Sequence, residues 1–165
     1  MKPCAIVYTS NTGFTRSYAQ LLGELTGLPV YPLDTAVSLL GSTTPVLYLG
    51  WLMAGKVVDC KKAVNNLDVR AIVGVGLAAT GTQTAAIRKS TGAPADVAVF
   101  SLQGGMDHSK LTGKYKKMID MLIRVLSLKR KRSPEEEARL TLLREGGNFV
   151  SEDNLTDVLL WLAGA

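Results

Sequence analysis

The chain reads as an α/β domain with a doubly wound parallel sheet, and three observations predict this. Hydrophobic runs alternate with helically spaced patterns from one end to the other, which is the pattern of stacked βαβ units. The runs are β-branched or apolar without clean period-two alternation, as strands must be when helices bury both faces of a sheet. The 165 residues, 47% hydrophobic and 20% charged, are enough for one core and too apolar for a disordered chain. No repeat, low-complexity tract or linker divides them, so a single domain over 1–165 is expected.

Strands are predicted at 4–8, 45–49, 71–77 and 96–102, with a shorter edge strand at 29–33. The first crossover helix, 15–26, carries Tyr18, Leu21, Leu22 and Leu25 at helical spacing and ends at Gly27 and Pro29. Shorter helices are predicted at 57–67 and 83–91, the second stopped by Gly92 and Pro94. From Ser109 the pattern changes to a long helix reaching about Leu128, followed by the basic run 129–132. Ser133-Pro134-Glu135-Glu136 then opens another helix: serine caps, proline suits the first helical position, and glutamates favour the positive end of the helix dipole. A last helix at about 152–162 closes the chain, which makes 109–147 a helical insertion between the last strand and the last helix.

Nineteen lysines and arginines against fourteen acids give a formal charge of +5, which favours anionic partners. The longest near-continuous apolar stretch, 71–79, contains two glycines and falls well short of the roughly twenty residues a spanning helix needs. The amino terminus lacks the continuous apolar run of a secretory signal, and a cytoplasmic protein is expected. Cys4 and Cys60 fit no metal or C-x-x-C spacing and are expected to be buried thiols. With His108 the single histidine, no catalytic dyad, metal site or acid-base residue is assigned.

The first loop carries the densest chemistry. Thr9, Ser10, Asn11, Thr12, Gly13, Phe14 and Thr15 place four hydroxyls and an amide within seven residues at a helix amino terminus. Unpaired backbone N–H groups and the helix dipole favour an anion there, and Gly13 lets the backbone come close. The loop has no lysine or arginine, which suits a phosphate held by neutral donors rather than one being transferred. A loop of this composition can also simply cap its helix.

The run Ile6-Val7-Tyr8-x-Ser10-x-x-Gly13-x-Thr15-x-x-x-Ala19-x-x-Leu22 resembles the signature of the flavodoxin family. That resemblance implies a five-stranded parallel sheet in the order 2-1-3-4-5, with FMN at the carboxyl ends of the strands and its phosphate in this loop. It also implies flavin-flanking roles for two further loops. In the loop after the third strand, Trp51, Leu52, Met53, Ala54 and Gly55 would bind the cofactor, with Trp51 stacking on the ring; a core tryptophan is the alternative. In the loop after the fourth strand, Ala78, Ala79, Thr80 and Gly81 stand where many flavodoxins have a tyrosine and acids. Without those acids the anionic reduced flavin is less disfavoured, so a raised reduction potential is expected.

Two imitations are set against this. Gly50-x-x-x-x-Gly55-Lys56 begins like a Walker A loop, but Val57 stands where a magnesium-binding Ser or Thr is required. Gly74-x-Gly76-x-x-Ala79 imitates a dinucleotide fingerprint, but after the wrong strand.

Between Lys110 and Arg132 lie nine cations against Asp120 alone, and Leu111, Tyr115, Met118, Ile119, Leu122, Val125 and Leu126 recur at helical spacing. Segment 110–132 is read either as a core-packed helix with a solvated basic face, or as a dock for an anionic membrane surface, an acidic redox partner or a carboxylate-bearing substrate. Nucleic acid is disfavoured, since no aromatic interleaving accompanies the charge. The run 102–111, Leu-Gln-Gly-Gly-Met-Asp-His-Ser-Lys-Leu, resembles the corresponding segment of flavodoxin-type protoporphyrinogen oxidases, which implies a flavin taking electrons from a tetrapyrrole at a membrane. The expected function is an FMN-binding redox protein that exchanges electrons with a partner protein or a small-molecule donor or acceptor. A flavin-dependent oxidoreductase of the protoporphyrinogen oxidase type and a flavin-free binding module are the alternatives.

Overall fold

A computed structural model of the chain describes residues 1–164. The first half runs β1 (Ala5–Thr9), α1 (Phe14–Thr26), β2 (Val30–Pro32), α2 (Leu33–Leu39), β3 (Pro45–Met53), β4 (Lys56–Val57), α3 (Cys60–Asn66) and β5 (Asp68–Gly76). It continues with α4 (Thr84–Thr91), β6 (Ala98–Gln103), β7 (Gly105–Met106), α5 (Gly113–Leu128), α6 (Pro134–Glu145), β8 (Gly147–Asn148) and α7 (Thr156–Gly164), with short 3-10 turns at His108–Lys110 and Asp153–Leu155. The central sheet has the order β2-β1-β3-β5-β6, every neighbour parallel, and β4 folds back antiparallel on the end of β3. No described helix is long and apolar enough to cross a membrane.

Strand periodicity sorts the core onto two faces. Val7, Tyr48 and Ile72 pack against α2, α3 and α4 through Ala36, Ala63 and Ile87. Ile6, Leu47, Val73 and Val75 pack against α1 and α7 through Tyr18, Leu22, Val158 and Leu162. Burying a side chain of this size contributes about 1.5–3 kcal/mol, so both faces of each inner strand must be apolar, which is why those strands read as unbroken hydrophobic runs.

The insertion leaves and rejoins the sheet body at one place. β7 pairs antiparallel with β8, Gly105 opposite Asn148 and Met106 opposite Gly147. Beyond this two-rung stalk, α5 and α6 form a helical hairpin around Met106, Leu111 and Leu143, with Leu77, Tyr115 and Leu142 against them. Ser133 caps α6 as predicted: its hydroxyl accepts the Glu136 N–H while the Glu136 carboxylate accepts the Ser133 N–H.

Several expectations are corrected. The edge strand stops at Pro32, and Leu33 opens α2, a helix not among those expected; its signal was the helical spacing of Leu33, Ala36, Val37 and Leu40, all packed on the core. Val57 lies in β4, so the next helix starts only at Cys60. β3 continues to Met53 and β5 begins at Asp68. The long helix of the insertion starts at Gly113, after a separate turn at His108–Lys110. Phe14 begins α1 rather than ending the loop.

The cysteines differ from expectation as well. Cys60 is buried, but Cys4 is exposed at the chain start, its thiol donating to the Pro45 carbonyl at 3.4 Å. Burial pushes the Cys60 thiol up to about 11 from an ordinary value of 9.0. Iodoacetamide at pH 8 is therefore expected to label Cys4 and leave Cys60 unmodified in the folded protein, as peptide mass mapping would read; equal labelling of both would refute the assignment. Because the folded value is the raised one, Cys60 contributes stability below pH 9 that is lost as the pH climbs towards 11.

Candidate functional site

In a parallel sheet all carboxyl ends lie on one edge, so the segments after β1, β3 and β5 are brought side by side. Thr9 is in register with Gly50, Trp51 with Val75, and Gly76 with Gln103. The chain after β1 turns to β2 on one side while β3 lies on the other, so the strand order reverses between β1 and β3; crevices at such reversals bind ligands in open α/β sheets. Residues 10–13 and the amino terminus of α1 stand at that reversal.

Here the first loop is held open by its own bonds. Ser10 Oγ accepts the Gly13 N–H at 3.2 Å, and Gly13 takes a φ of 103°, a conformation that favours glycine. No side chain caps α1, and its first intrahelical bond is Ser17 N–H to the Gly13 carbonyl. The N–H groups of Phe14, Thr15 and Arg16 thus present the unpaired positive end of a thirteen-residue helix beside the Ser10, Thr12 and Thr15 hydroxyls. Asn11 is exposed, and Thr15 is buried. Two of the predicted residues turn elsewhere. Thr9 Oγ1 is held at 2.9 Å by the Tyr48 hydroxyl, which also bonds the Val58 carbonyl at 2.7 Å. The Phe14 ring packs inward over Gly105.

The segment after the third strand is a strand and a hairpin rather than a loop. Ala54 (φ 49°) and Gly55 (φ 77°) form its two-residue turn, both at positive φ as the favoured hairpin turn requires, with alanine in a strained position. The Ser90 hydroxyl pins the turn by donating to the Gly55 carbonyl at 3.0 Å. Trp51 and Leu52 point to opposite faces. Leu52 packs down on Gly74 and Gly76, where added Cβ atoms would come within 3.0 and 2.9 Å of it, and Ile87 lies 2.5 Å from the same point over Gly74. The imitation of a dinucleotide fingerprint is thereby explained by packing. The Walker-like run is likewise divided among a strand, a turn and β4.

Trp51 is half-buried and meets Tyr115 of α5, ring centroids 4.9 Å apart and planes at 86°. An edge-to-face pair leaves at least one face of the indole untouched by its partner. Periodicity placed Tyr115 on the packed side of α5, but nothing in the sequence could show that the insertion folds back to this tryptophan.

No family model, curated protein or solved structure matches the chain. The site is therefore built from its own residues alone.

After β5, Ala78 and Ala79 offer only small side chains, and Gly81 takes a φ of 85°. Thr80 faces inward: its hydroxyl donates to Asn154 Oδ1 at 2.8 Å and accepts the Gln103 N–H at 3.0 Å. Asn154 in turn donates to the Tyr18 hydroxyl at 2.7 Å and to the Phe149 carbonyl at 2.8 Å, and Tyr18 donates to the Gln103 carbonyl. Burial holds the Tyr18 phenol above its ordinary range, so it stays a neutral donor. Asn154 thus ties α1, the loop after β5, the end of β6 and the returning insertion into one knot. An asparagine in a 3-10 turn has no local signature of such a role, so its spacing in the sequence does not single it out.

Proposed function

We propose that the chain is a flavodoxin-like, FMN-binding redox protein. The observation that carries the reading is the uncapped amino terminus of α1, preceded by a neutral loop of hydroxyls and an open Gly13, at the point where the strand order reverses. With the two-residue β4 set aside, the parallel strands follow the order 2-1-3-4-5, which supports the same reading.

The donors present fit a phosphate monoester. The backbone N–H groups of residues 14–16 and the hydroxyls of Ser10, Thr12 and Thr15 supply hydrogen bonds without a cation, and nothing lies within 4 Å of the open side of Gly13. Half-buried Trp51 would offer its indole to the ring, with the small residues Ala78, Ala79 and Gly81 in the loop after the neighbouring strand β5; the turn at Ala54 and Gly55 is drawn to the other side by Ser90. Bound FMN would supply electron transfer; the protein's part is to hold the phosphate, orient the ring and set its electrostatic surroundings. No residue is assigned as an acid or base. The electron donor or acceptor is a partner protein or a small molecule.

Titration of purified protein with FMN tests the proposal: quenching of flavin fluorescence with a one-to-one end point is expected. Free flavin fluorescence persisting at micromolar protein would leave the flavin-free binding module as the reading.

A further inference from the structure

The nine cations of the insertion divide into two groups. Lys110 pairs with Asp107, Lys116 with Asp120, Lys129 with Glu136 and Arg132 with Glu137. Among the described residues Lys114, Lys117, Arg124, Arg130 and Lys131 form no ion pair, and all five are exposed. Three of these five lie on α5, and they share a face with something unexpected. Met118, Met121, Val125 and Leu128 follow one another at spacings of three and four, and they are 40, 68, 56 and 77% exposed. Lys114 lies one turn before Met118, Lys117 one turn before Met121, and Arg124 one turn before Leu128. The packed side of the helix is a different arc, formed by Tyr115, Ile119, Leu122, Ile123 and Leu126. Asp120, the one carboxylate of α5, is on the far flank, occupied by Lys116 at 3.0 Å and His108 Nε2 at 2.8 Å.

We infer that this second face of α5 docks on an anionic lipid bilayer. Four apolar side chains along a helix about 24 Å long are the pattern of a helix lying in the interface plane, with its lysines and arginine reaching the headgroups. The charge chooses the occupant. The unpaired side chains beside the stripe are all cationic, so two copies of the face would meet with like charges, whereas anionic headgroups complement each one. Arg130 and Lys131, at the turn after α5, extend the same positive field. The inference does not depend on flavin binding.

Co-sedimentation with vesicles tests it, using the full chain at low salt. Vesicles of phosphatidylcholine with one-third phosphatidylglycerol are expected to retain the protein at least tenfold better than pure phosphatidylcholine, and added salt is expected to release it. Met121→Gln with Val125→Gln and Leu128→Gln is expected to lower retention at least tenfold while far-UV circular dichroism stays unchanged, because these side chains are exposed. Lys117→Gln with Arg124→Gln leaves the apolar stripe intact and is expected to weaken binding to the anionic vesicles alone. Absence of binding to anionic vesicles overturns the inference, as does retention indifferent to both sets of changes. A parent chain that is dimeric in sedimentation without lipid, and monomeric in the triple glutamine variant, overturns it in favour of a second copy.

Discussion

Ser10→Ala combined with Thr15→Ala is expected to weaken FMN binding by about a hundredfold or more. A hydrogen bond to a charged group contributes roughly 1.5–3 kcal/mol, and about 1.4 kcal/mol is tenfold in affinity, so two lost hydroxyls reach that range even at the low end. The two positions act differently. Ser10 also accepts the Gly13 N–H at 3.2 Å, so its loss loosens the turn that keeps the loop open. Thr15 is 1% exposed and lies in the first turn of α1, so its alanine variant removes a donor from a fixed position. Thr15→Ser should restore most of the affinity by returning the hydroxyl, which separates donation from packing. Flavin-fluorescence titration of the three proteins, alongside their melting curves, decides the matter. Unchanged affinity in a folded double variant would remove the phosphate assignment.

Gly105→Val is expected to destabilise the fold by about 3 kcal/mol, at the upper end for overpacking, and to lower the melting temperature by roughly 10 °C for a chain of this size. Even a single Cβ at this position would stand 2.2 Å from the Gly147 carbonyl oxygen and 2.6 Å from the Phe14 ring. The first contact is backbone in the facing strand, which cannot rotate away, so the stalk must part. Phe14 is the first residue of α1, so the disturbance reaches the candidate phosphate loop directly. Hydrogen exchange should show loss of protection at β7, β8 and α6 before the central sheet. A variant with parental melting and exchange would show that the stalk does not hold the insertion in place.

The α/β class was legible because buried parallel strands impose a composition that no helix period imitates. Helices with a long apolar stripe or strong punctuation, such as α1 with Gly27 and α6 with its capping box, were legible for local reasons. What was lost had tertiary causes. The β3–β4 hairpin turns at Ala54 and Gly55, and alanine does not announce a positive φ. Trp51 gave no hint of Tyr115, more than sixty residues away, because an aromatic contact across an insertion leaves no periodic trace. Gly74 and Gly76 resembled a ligand-binding motif when their spacing answers to Leu52 and Ile87. The exposed second stripe of α5 was partly read as core, since spacing alone cannot tell which of two apolar arcs is covered.

The stalk has a wider meaning for how this chain is assembled. Its entry and exit are adjacent rungs of one ladder, Gly105 beside Asn148 and Met106 beside Gly147, and Phe149 N–H closes back on the Gly104 carbonyl at 2.8 Å. Everything between is a cassette joined to the domain at this seam, with a small oily centre that also takes in Leu77, and Tyr115 meets Trp51 of β3. Because the seam fixes both ends side by side, the path of the chain through the central sheet does not depend on how many residues lie between them.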